Sequence, residues 1–478
     1  MLCNCDLSHL LAVSATLIAI VFAYFKWSFQ YWQRRNLNYL KPKFPFGNAE
    51  SPLRPKEYMG LRIKRYYDNM KAKGWKHGGL YLITSPRYMV VDLDYLKNIM
   101  SKDFDHFVDR GLYYNEKDDP LSAHLFALSG QKWRKLRAKL TPTFTSGKMK
   151  MMFQTLVDCL PNLLQKIEAD CVPKAPIDIK ETLGCFTTDI IGSCAFGLDC
   201  NTFKEENSPF REYGRKGLEL TPSQVFRLVL STVWPNMCKF FRLTLTSKDV
   251  SAFFLKLIKD TVDYRETNTV TRNDFLQILI DLKNKSSEGL SFEEIAAQCF
   301  VFFLAGFETS STTMTFLLYE LARRPDLQQK VRDEINTVLK NHDGIVTYEA
   351  IQEMKYMDQV INETLRMYPP LAFLNRECVK DYKVPGEDVI IEKGTAVTIS
   401  VLGIHYDEEY YPEPEKFDPE RFNDENKRSR HQYAHIPFGE GPRICIGKEI
   451  IKDVLELLIM SYRYAFWVDA IEGWVNCI

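Results

Sequence analysis

The sequence predicts an α+β fold, mainly α-helical, carried behind one amino-terminal membrane helix. Three observations predict it. Apolar residues recur at helical spacing over most of the chain. Strand-like runs broken by Pro and Gly stand near Leu80–Val91 and between Val384 and Val401, on either side of a helical middle. A sheet built from them has to join distant segments. Finally, Leu7 to Phe25 is a stretch of 19 residues without a charge.

That first stretch, at about 1.5 Å per residue, just spans a bilayer core of about 30 Å. Trp27, Tyr31 and Trp32 come next at interfacial depth, then Lys26, Arg34, Arg35, Lys41 and Lys43 supply positive charge, against Asp6 alone before the run. The asymmetry puts the rest of the chain on the cytosolic side. With no basic leader and no small-x-small cleavage site, residues 1–40 read as an uncleaved signal anchor with a basic flank. Pro42 and Pro45 make 41–50 a stiff, non-helical linker. Further on, Pro222–Trp234 has apolar residues at Val225, Phe226, Val229, Leu230, Val233 and Trp234, which reads as a core-facing helix; shallow membrane contact is the weaker alternative.

The 478 residues allow about three domains or one large one. Lys+Arg 62 balance Asp+Glu 62, which argues against a nucleic-acid partner. The neutral total is a cancellation: residues 131–150 carry seven bases and no acid, and 407–428 carry nine acids and four bases. The 12 cysteines form no Cys-x-x-Cys pair, so most read as buried small hydrophobes in a reducing compartment.

Four constellations carry chemistry. In Phe438-Gly-Glu-Gly-Pro-Arg-Ile-Cys-Ile-Gly447, glycines permit tight turns that aim amides at one sulfur, and those amides with Arg443 favour Cys445 as a metal-ligating thiolate. Glu363 and Arg366 are i, i+3 on one helix face and can pair. Ala305 and Thr309 share a face of a long apolar helix that Ser291 and Glu294 open with a capping box. Trp133 and Arg137 stand at i, i+4, able to hydrogen-bond one anionic group.

The cysteine loop, taken with Trp133, Thr309, Glu363, Arg421 and Cys445 in that order, resembles the cytochrome P-450 superfamily. Phrases such as Leu140-Thr-Pro-Thr-Phe-Thr-Ser-Gly-Lys148 are most similar to microsomal insect family 6 and vertebrate family 3 enzymes. The resemblance implies the fold of that superfamily and haem b with Cys445 as axial iron ligand. It implies that Phe438 belongs to the haem loop and that Arg110, Trp133, Arg137, Arg376 and Arg443 face the haem propionates. Glu308 and Thr309 become the acid–alcohol pair that delivers protons to oxygen. Glu363, Arg366 and Arg421 become a buried structural cluster, and Phe300, Phe303, Leu304, Ala305, Leu371, Ala372 and Phe373 become the walls of a substrate pocket.

The implied activity is insertion of one atom of O2 into small apolar substrates: xenobiotics, steroids, fatty acids or terpenoids. Electrons are expected from NADPH through a separate reductase, with a small haem protein as a second donor. The implied location is the endoplasmic reticulum membrane, single-pass, with a catalytic domain over 51–447. After Gly447 the sequence Lys-Glu-Ile-Ile-Lys452 departs from the family's Arg and aromatic pattern, and 448–478 reads as an atypical segment without the family's last strands. The alternative function is therefore a haem-binding but catalytically impaired product with a truncated or misassembled carboxy terminus.

Overall fold

The computed structural model describes residues 7–49, 57–171, 177–205, 208–219, 221–285 and 289–465. One mixed sheet is assembled from opposite ends of the chain. Strands β1 (His77–Leu82) and β2 (Ser85–Val90) form an antiparallel hairpin, and β2 pairs in parallel with β6 (Ala396–Ser400), which pairs antiparallel with β3 (Phe373–Glu377). The order is β1-β2-β6-β3. A small ladder of β4 (Tyr382–Lys383) and β5 (Ile390–Ile391) stands apart. Both strand-like runs thus lie in the sheet region. Strand β3 escaped because Asn375, Arg376 and Glu377 break the apolar alternation that marks a strand.

Helices pack round this sheet in two further apolar clusters. The central helix, Phe292–Ala322, runs through both. Its predicted capping box forms: the Glu294 amide donates to Ser291 Oγ (3.1 Å) and the Ser291 amide donates to Glu294 Oε2 (2.9 Å). Among the described residues two helices are long and apolar enough to cross a membrane, this one and the amino-terminal helix. Half of the central helix's apolar window is buried inside the protein, as expected of a core helix.

The amino-terminal helix spans Leu7–Ser28 and exposes its apolar side chains. The segment after this helix is neither interfacial nor a spacer. Trp32 is 0% exposed, its indole N–H donating to the Leu80 carbonyl (3.0 Å), and Tyr31 donates to Glu392 (3.0 Å). Only Trp27 stays exposed. Residues 37–48 hydrogen-bond to β1, through Leu40 to Gly79 and Asn48 to Tyr81. The anchor's flank is therefore part of the folded domain. Aromatic residues there bury more area against the sheet than a lipid headgroup layer offers.

Pro222–Val233 also departs from expectation. It is a helix, capped by Thr221, but Phe226 is 61% exposed, and Trp234, Phe240 and Phe241 are exposed beyond it. A periodic apolar face shows that a helix has one wet side; it does not show whether protein or lipid covers the other.

The carboxy-terminal helix Lys448–Ala465 seats Val454, Leu455 and Leu457 in the core. It also buries Asp453 and Glu456, whose carboxyls meet Glu449, the Lys452–Asp358 pair (2.6 Å), and Gln352 at 3.5 Å from Asp453. Among the described residues Glu456 Oε2 has no hydrogen-bond partner. Burial pushes Asp453 up to about 7 and Glu456 up to about 8. An acid whose folded pKa is raised stabilises the fold while protonated, and that contribution falls as pH rises from the unfolded value through the folded one. Thermal unfolding followed by circular dichroism should therefore show a loss on the order of 4 kcal/mol between pH 6 and pH 8.5. The double variant D453N/E456Q should flatten that slope; an unchanged slope would show that other groups set it. The tail from Trp467 to Ile478, where the missing strands were expected, lies outside the described residues.

Candidate functional site: a cysteine loop ringed by arginines

The loop before the carboxy-terminal helix is a tight main-chain construction. Cys445 N–H donates to Phe438 O (2.9 Å) and Ile444 N–H to Gly441 O (2.9 Å). Gly439 and Gly441 hold φ of +72° and +73°, a left-handed conformation that glycine adopts without strain. A Cβ on Gly441 would run into the Met100 carbonyl. Cys445 is half-buried, three residues before the helix begins at Lys448. Burial raises its thiol, while the Gly447 amide and the charges of Arg110, Arg137 and Lys448 pull the other way. Those are the cations at the sulfur. Arg443 is not among them.

Arg443 instead braces the loop. Its Nε donates to Val108 O (2.8 Å), Nη1 to Leu125 O (3.3 Å) and Nη2 to Leu128 O (2.7 Å), with the guanidinium 3.9 Å over the Trp133 ring. Trp133, buried on helix Gly130–Leu140, is thus a platform for Arg443. Arg137, one turn on, donates to Ile444 O (3.0 Å), and Arg110 to Arg443 O (3.1 Å). Among the described residues Arg376 reaches only its neighbour's carbonyl, Asn375 O, and its buried Nε has no partner.

Four guanidiniums therefore cluster beside the cysteine loop, and two of them, Arg110 and Arg137, act on its thiol. Burial, with mutual repulsion at Arg110 and Arg443, holds all four below their ordinary values: Arg376 at about 10, Arg443 at about 9, and Arg110 well below its usual range. The acid in this group is Asp109, 3.6 Å from Arg443. Such a surplus suits a ligand with more than one carboxylate and a metal cation for the sulfur, because a bound metal deprotonates its thiol. Haem has both, so the residues present fit it.

The central helix passes with an open face. Ala305, midway along it, is exposed while Phe303 and Phe307 are buried, and Thr309 Oγ donates to Ala305 O (2.5 Å) one turn on. Glu308 does not join Thr309. One residue is about 100° of helix rotation, and that turns its carboxylate to Lys180 (2.7 Å) on helix Ile179–Ile191, with Thr312 as a further donor (3.2 Å).

The Glu363 cluster forms as the sequence predicts. Arg366 Nε and Nη2 reach Glu363 Oε2 and Oε1 at 2.7 and 2.9 Å, both side chains 0% exposed. Arg421 Nε lies 3.5 Å from Glu363 Oε1, and Asp418 N–H donates to the same oxygen (2.8 Å). His405, which sequence reasoning missed, links the cluster to the cysteine loop. Its Nδ1 meets Arg366 O (3.0 Å) and its Nε2 accepts from Ile436 N–H (3.0 Å). Burial holds it neutral, with a pKa lowered to about 3.

A cavity of about 280 Å³ lies between residues 112–127, the two helices after Ser208 and the central helix, lined by His124, Phe126, Leu228 and Phe300 among others. Of the predicted walls only Phe300 lines it. Phe303 packs edge-to-face on Phe210 in the core (4.5 Å), Leu304 packs near Gly217, and Ala372 is buried near Gly60. Leu371 is exposed and Phe373 half-buried, away from this cavity's lining. His124, Phe126 and Leu228 had no sequence signal, since loop residues carry no periodicity.

The family model for cytochrome P450 matches residues 56–464. The chain belongs to the cytochrome P450 family. It is 42% identical to cytochrome P450 6A1 of Musca domestica over 96% of this chain and 92% of that one. It is 41% identical to probable cytochrome P450 6a14 of Drosophila melanogaster (92% and 90% covered) and 40% to cytochrome P450 6k1 of Blattella germanica (93% and 88%). These relatives are insect family 6 proteins. Members of this P450 family are haem-thiolate monooxygenases whose electrons come from redox partners, and so is this chain. The match reaches residue 464, so the departure after Gly447 is not where the family region ends, and an impaired product is not the favoured reading.

Proposed function

We propose that this P450 uses Cys445 as its iron ligand, Arg110, Arg137 and Arg376 to orient the haem carboxylates, and Thr309 to hold a proton over the reacting face. The carrying observation is the cluster of four guanidiniums beside the cysteine loop, with Arg110 and Arg137 acting on its thiol and Asp109 as the acid among them. Bound haem supplies the oxygen activation and the insertion of one oxygen atom into a C–H or C=C bond of an apolar substrate. Arg443 and Trp133 keep the loop rigid. The Glu308–Lys180 pair, half-exposed, stands on the solvent side of the helix as a proton source that reaches Thr309 through water. Phe300 and Phe126 make the adjoining cavity apolar enough for xenobiotics, steroids, fatty acids or terpenoids.

The electron donor in this proposal is an NADPH-dependent reductase whose acidic surface meets the exposed Lys132 and Lys135 of helix Gly130–Leu140. The anchor, with the exposed Phe226, Trp234, Phe240 and Phe241, supports an endoplasmic reticulum membrane seat with the domain in the cytosol. Protease added to sealed microsomes should then digest the domain; protection would reverse the topology. In a reconstituted assay, reductase and NADPH should give substrate-dependent NADPH consumption and a product one oxygen heavier. Haem-loaded protein that consumes no NADPH with any of these substrate classes would refute the proposal.

A further inference from the structure

His124 stands half-buried in the wall of the cavity beside the central helix, and its contacts fix where the ring carries its proton. Nδ1 faces the Ala127 N–H at 3.3 Å, so it accepts. The carbonyl of the same residue does not compete for a ring proton, because the Ala127 and Leu128 N–H groups already donate to it at 3.0 and 2.9 Å. A neutral imidazole carries one N–H, and these contacts assign it to Nε2. The ring is neutral: burial, with the Arg110 charge nearby, lowers its pKa to about 4. Among the described residues Nε2 has no hydrogen-bond partner in the protein.

The donors beside it are engaged by the protein itself. Tyr113 O–H donates to Leu243 O (2.8 Å), Ser122 to Asp119 O (2.7 Å), and Ser231 and Thr232 to Leu228 O (2.9 and 2.7 Å). Gln224 serves the Thr221 cap and Lys216 pairs with Glu212 (2.7 Å). Thr246 lines the cavity with a hydroxyl that can swing, whereas Ala127 holds the imidazole in one orientation. The apolar lining includes Leu121, Phe126, Leu245 and Phe300. A donor facing such a space forfeits a hydrogen bond unless a guest brings an acceptor.

We propose that His124 is a specificity-determining residue whose Nε2–H holds the carbonyl oxygen of a compact apolar ketone or ester, so that the cavity prefers these to hydrocarbons of the same skeleton. A carboxylate would call for a cation, and a neutral N–H suits an uncharged acceptor. At about 30 Å³ per water, the 280 Å³ of the cavity takes in roughly nine water-sized atoms, near the size of a ten-carbon guest. The inference rests on the apolar-cavity reading and deepens it, since it names the polar group that a preferred substrate carries.

Binding to the haem-loaded, full-length protein can be read from the Soret shift on titration with carvone and with limonene, which share a skeleton and differ by the carbonyl. Comparing the ratio of the two affinities between variants cancels what each ligand loses in leaving water. His124→Leu should lower the carvone-to-limonene ratio about tenfold, with limonene itself within about twofold of wild type. His124→Gln, whose amide N–H reaches the place of Nε2, should restore most of that ratio. Thr246→Val should leave it unchanged. The turn survives these substitutions, because the Ala127 and Leu128 N–H groups keep the main-chain carbonyl of residue 124. An unchanged ratio in His124→Leu, equal losses of both ligands, no rescue by His124→Gln, or a drop in Thr246→Val as large as in His124→Leu would each overturn the proposal. If limonene binds wild type and carvone does not, His124 fails alone; if neither ligand shifts the band, the apolar-cavity reading fails with it.

Discussion

Cys445→Ser should abolish the red-shifted Soret band of the reduced, CO-treated protein and, with it, turnover. The substitution replaces the one atom that ligates as a thiolate with a hydroxyl far weaker as an anion and as a soft donor. It leaves the loop's framework alone. The bond from residue 445 to Phe438 O is main chain, the turns depend on Gly439 and Gly441, and Arg443 donates to carbonyls of 108, 125 and 128. Thermal stability of the metal-free protein should accordingly stay within about 1 kcal/mol of wild type. A variant that kept the red-shifted band would place the ligand elsewhere and undo the assignment.

Glu363→Ala should have the largest effect on folding of any single change. It leaves the fully buried Arg366 without its carboxylate and removes the partner of Arg421 and of the Asp418 amide. An uncompensated buried charge costs about 3–5 kcal/mol, against a total stability of about 5–15 kcal/mol. Because His405 couples this cluster to Ile436, two residues before Phe438, the loss reaches the cysteine loop. The expected readout is little or no folded, haem-retaining protein, with Glu363→Gln intermediate because its oxygen still accepts. A Glu363→Ala protein within about 1 kcal/mol of wild type in denaturant titration would show the cluster to be dispensable.

Much of the site was legible because it is local. The cysteine loop, the Ser291–Glu294 box and the Glu363–Arg366 pair each lie within a few residues, where spacing fixes geometry. Legibility failed where the third dimension decides. Residues 131–150 look like a bare basic stretch, yet Lys132 pairs with Glu116, Arg134 with Asp105 and Lys150 with Glu349, acids supplied from outside it. Arg443 stands two residues from Cys445, yet its side chain serves Val108, Leu125 and Leu128. Glu308 and Thr309 are neighbours in sequence and face different partners, because adjacent helix positions point apart. Trp32 comes just after a membrane helix and is nonetheless core, which periodicity and flanking charge cannot reveal.

The sheet also sets a clock on synthesis. Strand β2 has its parallel partner at β6, and about 310 residues separate Arg87 from Ala396. At about 5–20 residues per second, that partner emerges roughly 15–60 s after β2 leaves the ribosome. Through that interval the hairpin offers an open strand edge beside an amino-terminal helix already competent to enter the membrane. A nascent chain in that state invites wrong pairing. Synonymous changes that slow translation between β2 and β6 should therefore lower the yield of folded protein more than equal slowing after Ser400.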